Sequence, residues 1–346
     1  MFRFKNKTKG GDILRIRAVI GIYVAGIIGA GFASGHELYV FFVDYGWGGL
    51  VGLAVTLIMF TLGTFGILEF AGRKKVENYK ELFSHLGLGN ALIFDLIYSL
   101  FLITGISVML AGCGALPSSE VSGVILQIAT GFLVYFTVQK GVEGPVNASQ
   151  WLAVTIVGVL SLFAIFHLQE NHVNFPREGS LNGIESGVLY ASFNLGFSMA
   201  ILSSIQHFVK TRKERWIVAI LGNIILVCCM LLLCSALSTL SLVQLNDPFP
   251  LIHLVQRKGS VAKVVYYIML WCAMYTTALA NSLALVKRLT SGSLFTWQQA
   301  AVLVVIVALI LSIFGFTTLV RLAYPLLGML GLFILIFVGR GYFRKI

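Results

Sequence analysis

The sequence has few charged residues. Asp, Glu, Lys and Arg make up 11% of its 346 residues, whereas 58% are hydrophobic and the mean hydropathy is +0.91. Soluble domains contain roughly 25% charged residues, so the composition excludes that class. Continuous apolar runs, rather than short alternating strands, also exclude a transmembrane β-barrel. The sequence therefore predicts an all-α polytopic membrane protein in contact with the lipid bilayer.

Cysteine is also scarce, and motifs typical of enzymes are missing. The five cysteines show no C-x-x-C or histidine-paired spacing, so we interpret them as small apolar packing residues. The sequence contains no H-E-x-x-H, G-x-S-x-G or paired aspartates, and one histidine, His36, lies near the middle of a hydrophobic segment. A membrane enzyme needs convergent nucleophiles, bases or metal ligands. We therefore expect neither an enzyme nor an organic cofactor.

The hydrophobic residues form ten segments long enough to cross a bilayer, which takes roughly 20 helical residues. The segments lie near residues 16–43, 47–71, 90–113, 120–139, 148–168, 185–209, 216–240, 262–287, 297–316 and 321–340. The connections between them are too short for a separate soluble domain. We therefore predict a single transmembrane domain over residues 1–346.

The positive charges are distributed unevenly between the two sides of these segments. With the N-terminus in the cytoplasm, 20 of the 25 Lys and Arg residues fall on the cytoplasmic side. The positive-inside rule then places both termini in the cytoplasm. The basic clusters suit an anionic inner leaflet, so the net charge of +11 does not indicate a nucleic-acid partner.

The first segment is interrupted by residues that disfavour a helix. Residues 18–43 read AVIGIYVAGIIGAGFASGHELYVFFV, with Gly29, Gly31, Ser34 and Gly35 near the middle. These residues predict a backbone that unwinds and exposes its own N–H and C=O groups. Within a membrane such groups occur where protein or a polar cavity satisfies them, so the break is a candidate binding site.

The sixth segment contains a similar group of residues. The stretch YASFNLGFSMA at 190–200 has Asn194, Gly196 and Ser198 at mid-span. Because it lies five segments after the first, the two halves would have opposite orientations, as in an inverted 5+5 repeat of residues 16–168 and 185–340. The alternative is that Gly196 serves only helix packing.

Three stretches resemble the YkvI family of bacterial membrane proteins: GAGFASGHE at 29–37, VMLAGCGA at 108–115 and FNLGFS at 193–198. That family is similar to the amino acid/polyamine/organocation superfamily. The resemblance implies a LeuT-like fold, broken helices one and six, and alternating access in a bacterial plasma membrane. The substrate-binding residues that it implies are Gly29, Gly31, Ala33, Ser34, Gly35, Asn194, Gly196 and Ser198.

The same resemblance implies a Na⁺ site between the first and eighth segments. Its carbonyl ligands would come from Ala25, Ile28 and Ala273, and its hydroxyl ligands from Thr276 and Thr277. Na⁺ is a hard cation that prefers oxygen ligands, and positions i, i+3 and i+4 share one helical face. The alternative is that both threonines bond to their own helix.

The expected substrate is an amino acid or related carboxylate, because free N–H groups at the break favour an anion. Glu37 has two interpretations. The pattern Ser34-x-x-Glu37 matches a capping box, which we favour, whereas an ionisable residue within a span could carry a coupling proton. A further alternative to a transporter is a membrane sensor that reuses the same fold without transporting its ligand.

Overall fold

The computed structural model describes residues 9–76, 79–85, 91–117, 119–140, 144–171, 173, 182–256, 259–290 and 295–343. All regular secondary structure in these ranges is helical. The α-helices are α1 Lys9–Ile27, α2 Ala30–Ser34, α3 His36–Phe41, α4 Trp47–Lys74, α5 Tyr79–His85, α6 Ala91–Ala115, α7 Glu120–Gln139, α8 Gly144–Glu170, α9 Asn182–Ile205, α10 Arg212–Leu237, α11 Leu242–Leu245, α12 Ile252–Gln256, α13 Ser260–Thr290, α14 Trp297–Ser312 and α15 Phe316–Phe343. Short 3₁₀ turns lie at Val43–Tyr45 and Gln206–Phe208.

Seven of the described helices are long and apolar enough to cross a membrane: α4, α6, α7, α9, α10, α13 and α15. The other three predicted segments do not contain one continuous helix that is long and apolar enough to meet this criterion. The first is divided among α1, α2 and α3, while the apolar part of α8 and the whole of α14 are shorter. The structure therefore supports a multi-pass helical membrane protein, with seven rather than ten helices that meet the full length criterion.

The first segment is interrupted at the place that its glycines predict. Helix α1 ends at Ile27, and Gly29 has an extended backbone with φ −85° and ψ 179°. The N–H of Gly29 donates to the carbonyl of Ile27 at 2.8 Å. A continuing α-helix would direct this group to Ala25. After α2, Gly35 takes a left-handed conformation with φ 83°, which favours glycine.

The predicted break in the sixth segment is not present, because α9 is continuous from Asn182 to Ile205. The two polar side chains at the predicted break bond within the helix. Asn194 Nδ2 donates to the carbonyl of Tyr190 at 3.1 Å, and Ser198 Oγ donates to that of Asn194 at 2.7 Å. Gly196 packs against the ring of Phe101, where a Cβ would overlap. These residues allow close packing of α9 rather than unwinding it.

Glycines allow the backbones of helices α4 and α9 to pack directly against each other. A Cβ on Gly187 would overlap the backbone of Gly52, and a Cβ on Gly52 would overlap the carbonyl of Gly183. Thr56 Oγ1 donates both to the carbonyl of Gly52 at 2.8 Å and to that of Gly187 at 3.1 Å. Small residues permit this contact between membrane helices, and the hydroxyl adds a hydrogen bond across it. These contacts hold α4 directly against α9.

We predict that Gly187→Ala lowers stability because its Cβ would separate α4 from α9. The expected cost is about 1–3 kcal/mol, as for other overpacked sites. Gly66→Ala is the matched control, since a Cβ on this α4 residue meets no atom within 4 Å. Thermal unfolding of both variants in detergent checks the expectation. Equal melting temperatures for the two variants would contradict close packing at Gly187.

Candidate functional site

A cavity of about 440 Å³ lies beside the break in the first segment. Its walls come from α1, α2, α3, α6, α9, α13 and α15, together with the non-helical residues that follow Ile27. Seven of the predicted site residues line it: Ala25, Ile28, Gly29, Gly31, Glu37, Asn194 and Thr277. The structure thus brings parts of the predicted substrate and ion sites to one cavity.

The other predicted substrate residues lie outside the cavity lining and make structural contacts. Ser34 Oγ donates to the carbonyl of Gly31 at 2.6 Å and accepts from the N–H of His36 at 3.1 Å. The carbonyl of Ala33 accepts from Tyr266 Oη at 3.0 Å. Gly35 packs against Leu251. Gly196 and Ser198 serve the packing and internal bonding of α9, as described above.

The cavity reaches the protein surface near the end of α9. It extends past Ile22 of α1 and Ala284 of α13 to the exposed Ser204 near the end of α9. On the opposite side, the N–H of Leu251 donates to the carbonyl of Ser34 at 3.2 Å. On this side the rings of Phe249 and Phe316 also pack together, with their centroids 5.5 Å apart. The segment 242–256 therefore closes the far side of the site.

The side chain of Glu37 points to the break and not into a capping box. It is 5% exposed and lines the cavity, with its carboxylate so close to Gly31 that a Cβ there would overlap it. The N-cap of α3 is Gly35, which has no side-chain cap bond, and Ser34 bonds to His36. The favoured capping interpretation is wrong because α2 continues through Ser34, so this residue is not at an N-cap position.

The predicted ion-site residues are divided between the cavity and the interior of α13. Ala25, Ile28 and Thr277 line the cavity. Thr276 Oγ1 donates to the carbonyls of Cys272 at 2.9 Å and Ala273 at 3.1 Å. In this conformation the Thr276 hydroxyl and the Ala273 carbonyl bond to each other, as the alternative interpretation of the threonines expects.

Sequence reasoning missed several residues of the lining. Asn281 is a polar residue four positions after Thr277, on the same face of α13. Tyr98 and Tyr324 come from α6 and α15, and Phe193 and Phe197 from α9. The single amide of Asn281 in an apolar helix was a usable signal. The aromatic residues gave none, because aromatic side chains are common in helix packing.

The chain is similar to two proteins of Bacillus subtilis (strain 168), and no family model matches it. It is 27% identical to the uncharacterized membrane protein YkvI over 325 residues, covering 90% of this chain and 91% of YkvI. It is 25% identical to the uncharacterized protein YyaD over 323 residues, covering 91% of this chain and 93% of YyaD. These homologues agree with the resemblance that the motifs predict.

Among solved structures, the chain is similar to the transporters Mhp1 and MhsT. The inward-facing conformation of Mhp1 gives a TM-score of 0.74 at 12% identity, covering 95% of this chain and 76% of Mhp1. MhsT in complex with L-phenylalanine gives 0.64 at 15% identity, covering 96% and 89%. The chain has the LeuT fold. Mhp1 is described as a transporter of the nucleobase-cation-symport-1 family.

We predict that Gly31→Ala and Glu37→Ala are energetically coupled. In the wild-type background a Cβ at position 31 displaces the carboxylate, at a cost of about 1–3 kcal/mol for overpacking. Removing that carboxylate makes room, so the cost of Gly31→Ala should fall in the Glu37→Ala background. A double-mutant cycle of unfolding free energies measures this coupling. Strict additivity would mean that the two side-chain positions do not contact each other.

Proposed function

We propose that this protein is a secondary transporter that moves a small solute across the bacterial plasma membrane by alternating access. The observation that carries this proposal is the cavity at an interrupted helix, with one side closed and the other reaching the surface. Transporters of the fold use such interrupted helices to expose backbone groups to solutes. The proposed arrangement has ten membrane crossings in an inverted 5+5 repeat. Seven of these crossings are the long helices, and α8, α14 and the α1–α3 segment form the other three.

The conformation is proposed to be inward-facing. The chain gives a TM-score of 0.74 to inward-facing Mhp1 and 0.61 to Mhp1 in a closed conformation with bromovinylhydantoin bound, the latter covering 90% of this chain and 74% of Mhp1. The positive-inside distribution supports cytoplasmic termini, which puts the exposed Ser204 on the cytoplasmic side. Closure by segment 242–256 is then on the outer side.

The proposed substrate class is amino acids and related small solutes. The cavity volume of about 440 Å³ suits such molecules, since ligand pockets measure roughly 300–1,000 Å³. MhsT, which shares the fold, is described with L-phenylalanine bound. A central cavity with apolar walls and a few amide and hydroxyl groups provides orientation without a large polar surface.

The proposed coupling ion is Na⁺, bound by the carbonyls of Ala25, Ile28 and Ala273 and the hydroxyls of Thr276 and Thr277. Support comes from Ala25, Ile28 and Thr277, which share the cavity wall beside the break. Binding requires Thr276 to turn its oxygen lone pairs toward the ion while its hydroxyl hydrogen stays on a helix carbonyl, as a hydroxyl permits. The oxygen-only ligand set suits a hard cation.

Transport by the purified protein in liposomes tests the proposal. Labelled amino acids should accumulate when a Na⁺ gradient is imposed, and the accumulation should disappear when K⁺ replaces Na⁺ on both sides. A sensor with the same fold would bind a ligand, raising its melting temperature, without accumulating it. Binding without uptake in active liposome preparations would therefore contradict transport.

We predict that replacing Thr276 and Thr277 together with Val removes the Na⁺ dependence of uptake or stops uptake. Valine keeps the side-chain shape and removes both hydroxyl oxygens. Thr277→Val alone should have the larger single effect, because Thr277 lines the cavity. Thr290→Val is the control, since its hydroxyl bonds to its own helix at the end of α13. Unchanged Na⁺ dependence in the double variant would show that the ion binds elsewhere or is not used.

A further inference from the structure

The central cavity has a single acidic or basic residue in its lining. Among the described residues that form its walls, Glu37 is the one carboxylate, and none is a Lys, Arg, His or Asp. The remaining lining is apolar or carries amide, hydroxyl and aromatic groups. When Glu37 is ionised, the electrostatic field of the cavity therefore favours a cation.

Glu37 forms no ion pair within the described part of the chain. Three other carboxylates pair with arginines, and Asp247 lies 3.2 Å from His253. Glu69 bonds to Arg73 and Arg215, Asp95 to Arg288 and Glu214 to Arg15, at distances of 2.6–3.0 Å. A buried carboxylate without an opposite charge is strongly unfavourable, and within membranes such groups are typically functional. An ionised Glu37 would therefore take its counter-ion from the cavity that it lines.

The surroundings of the Glu37 carboxylate suit an ammonium group. An ammonium has three hydrogen-bond donors and needs acceptors, and the amide oxygens of Asn194 and Asn281 offer acceptors in the same cavity lining. The rings of Tyr98, Phe193 and Tyr324 share the lining, and aromatic faces attract cations. The cavity lining offers no basic side chain to hold an anion.

We propose that the transported solute carries a protonated amino group and that Glu37 is its counter-ion. This inference rests on the proposed transport function and narrows its substrate class to amines, including zwitterionic amino acids. Carboxylates without an amino group are excluded, because they would meet the carboxylate of Glu37 with no compensating cation. The solute amine, rather than its carboxylate, lies against the break at Gly31.

Matched probe molecules separate the amine from the carboxylate. Leucine, 3-methylbutylamine and 4-methylpentanoate share one side chain, and phenylalanine, phenethylamine and 3-phenylpropionate form a second set. Thermal-shift titrations of the full-length protein, in Na⁺ and in K⁺, report binding because a ligand stabilises the folded state. We expect stabilisation by amine-bearing members of at least one set and none by the deaminated acids.

The Glu37→Gln variant tests the counter-ion directly. Glutamine keeps the shape and removes the charge, so amine affinity should fall by about tenfold or more. The unliganded variant should fold with equal or higher stability, because an unpaired buried charge is removed. Glu120→Gln is the control, since Glu120 is exposed at the start of α7, and its affinity for amines should not change.

Three results would overturn the proposal. These are stabilisation by the deaminated acids, lack of stabilisation by every amine in both sets, and undiminished amine affinity in Glu37→Gln. If Glu37→Gln binds amines normally but loses accumulation driven by a proton gradient, Glu37 carries the coupling proton instead. Liposome uptake of a solute without an amine would contradict this inference while leaving the proposed transport function intact.

Discussion

The site depends on peptide groups that the break in the first segment leaves without helical partners. Within a membrane these groups need other hydrogen bonds, since each unsatisfied one costs several kcal/mol. The structure supplies them from the break itself and from distant elements: Ser34 Oγ bonds to the carbonyl of Gly31, Tyr266 Oη to that of Ala33, and the N–H of Leu251 to that of Ser34. The bond from Leu251 therefore also attaches segment 242–256 over one side of the cavity.

The two sides of the break are held by different helices. On the α1 side, Tyr23 Oη donates to Asn223 Oδ1 at 2.8 Å and lies 2.6 Å from Thr64 Oγ1, which joins α1 to α10 and α4. On the other side, the bonds from Tyr266 and Leu251 join the break to α13 and to the turn before α12. Non-helical residues between two such groups can absorb a change in backbone dihedral angles. We propose that the rocking motion of alternating access occurs about residues 28–29.

Local sequence predicted the first break well because glycine acts through the backbone. Gly29 is extended and Gly35 is left-handed, conformations that the residue types themselves favour. The same reasoning failed at 190–200, where Asn194 and Ser198 bond to their own helix and Gly196 accommodates Phe101. Glycine in a membrane helix can unwind the helix or allow a neighbouring helix to approach. Which of the two occurs depends on the tertiary packing around the glycine.

The position of Glu37 could not be read from its motif for a similar reason. A capping box depends on where the preceding helix ends, and α2 runs one residue too far for Ser34 to act as the N-cap. The carboxylate then turns to the space that the missing side chain of Gly31 leaves open. The sequence identified the residue as important, but its direction depends on the tertiary geometry of the break.

The central claim is that this cavity opens alternately to the two sides of the membrane. In a variant without the five native cysteines, single cysteines at the exposed Ser204 and the buried Leu251 report on the two sides. Their reaction rates with a hydrophilic thiol reagent would be measured in KCl, in NaCl, and in NaCl with leucine. If the cavity opens alternately, labelling at position 204 should fall in the conditions in which labelling at position 251 rises. Rates that stay constant or change together in every condition would contradict it.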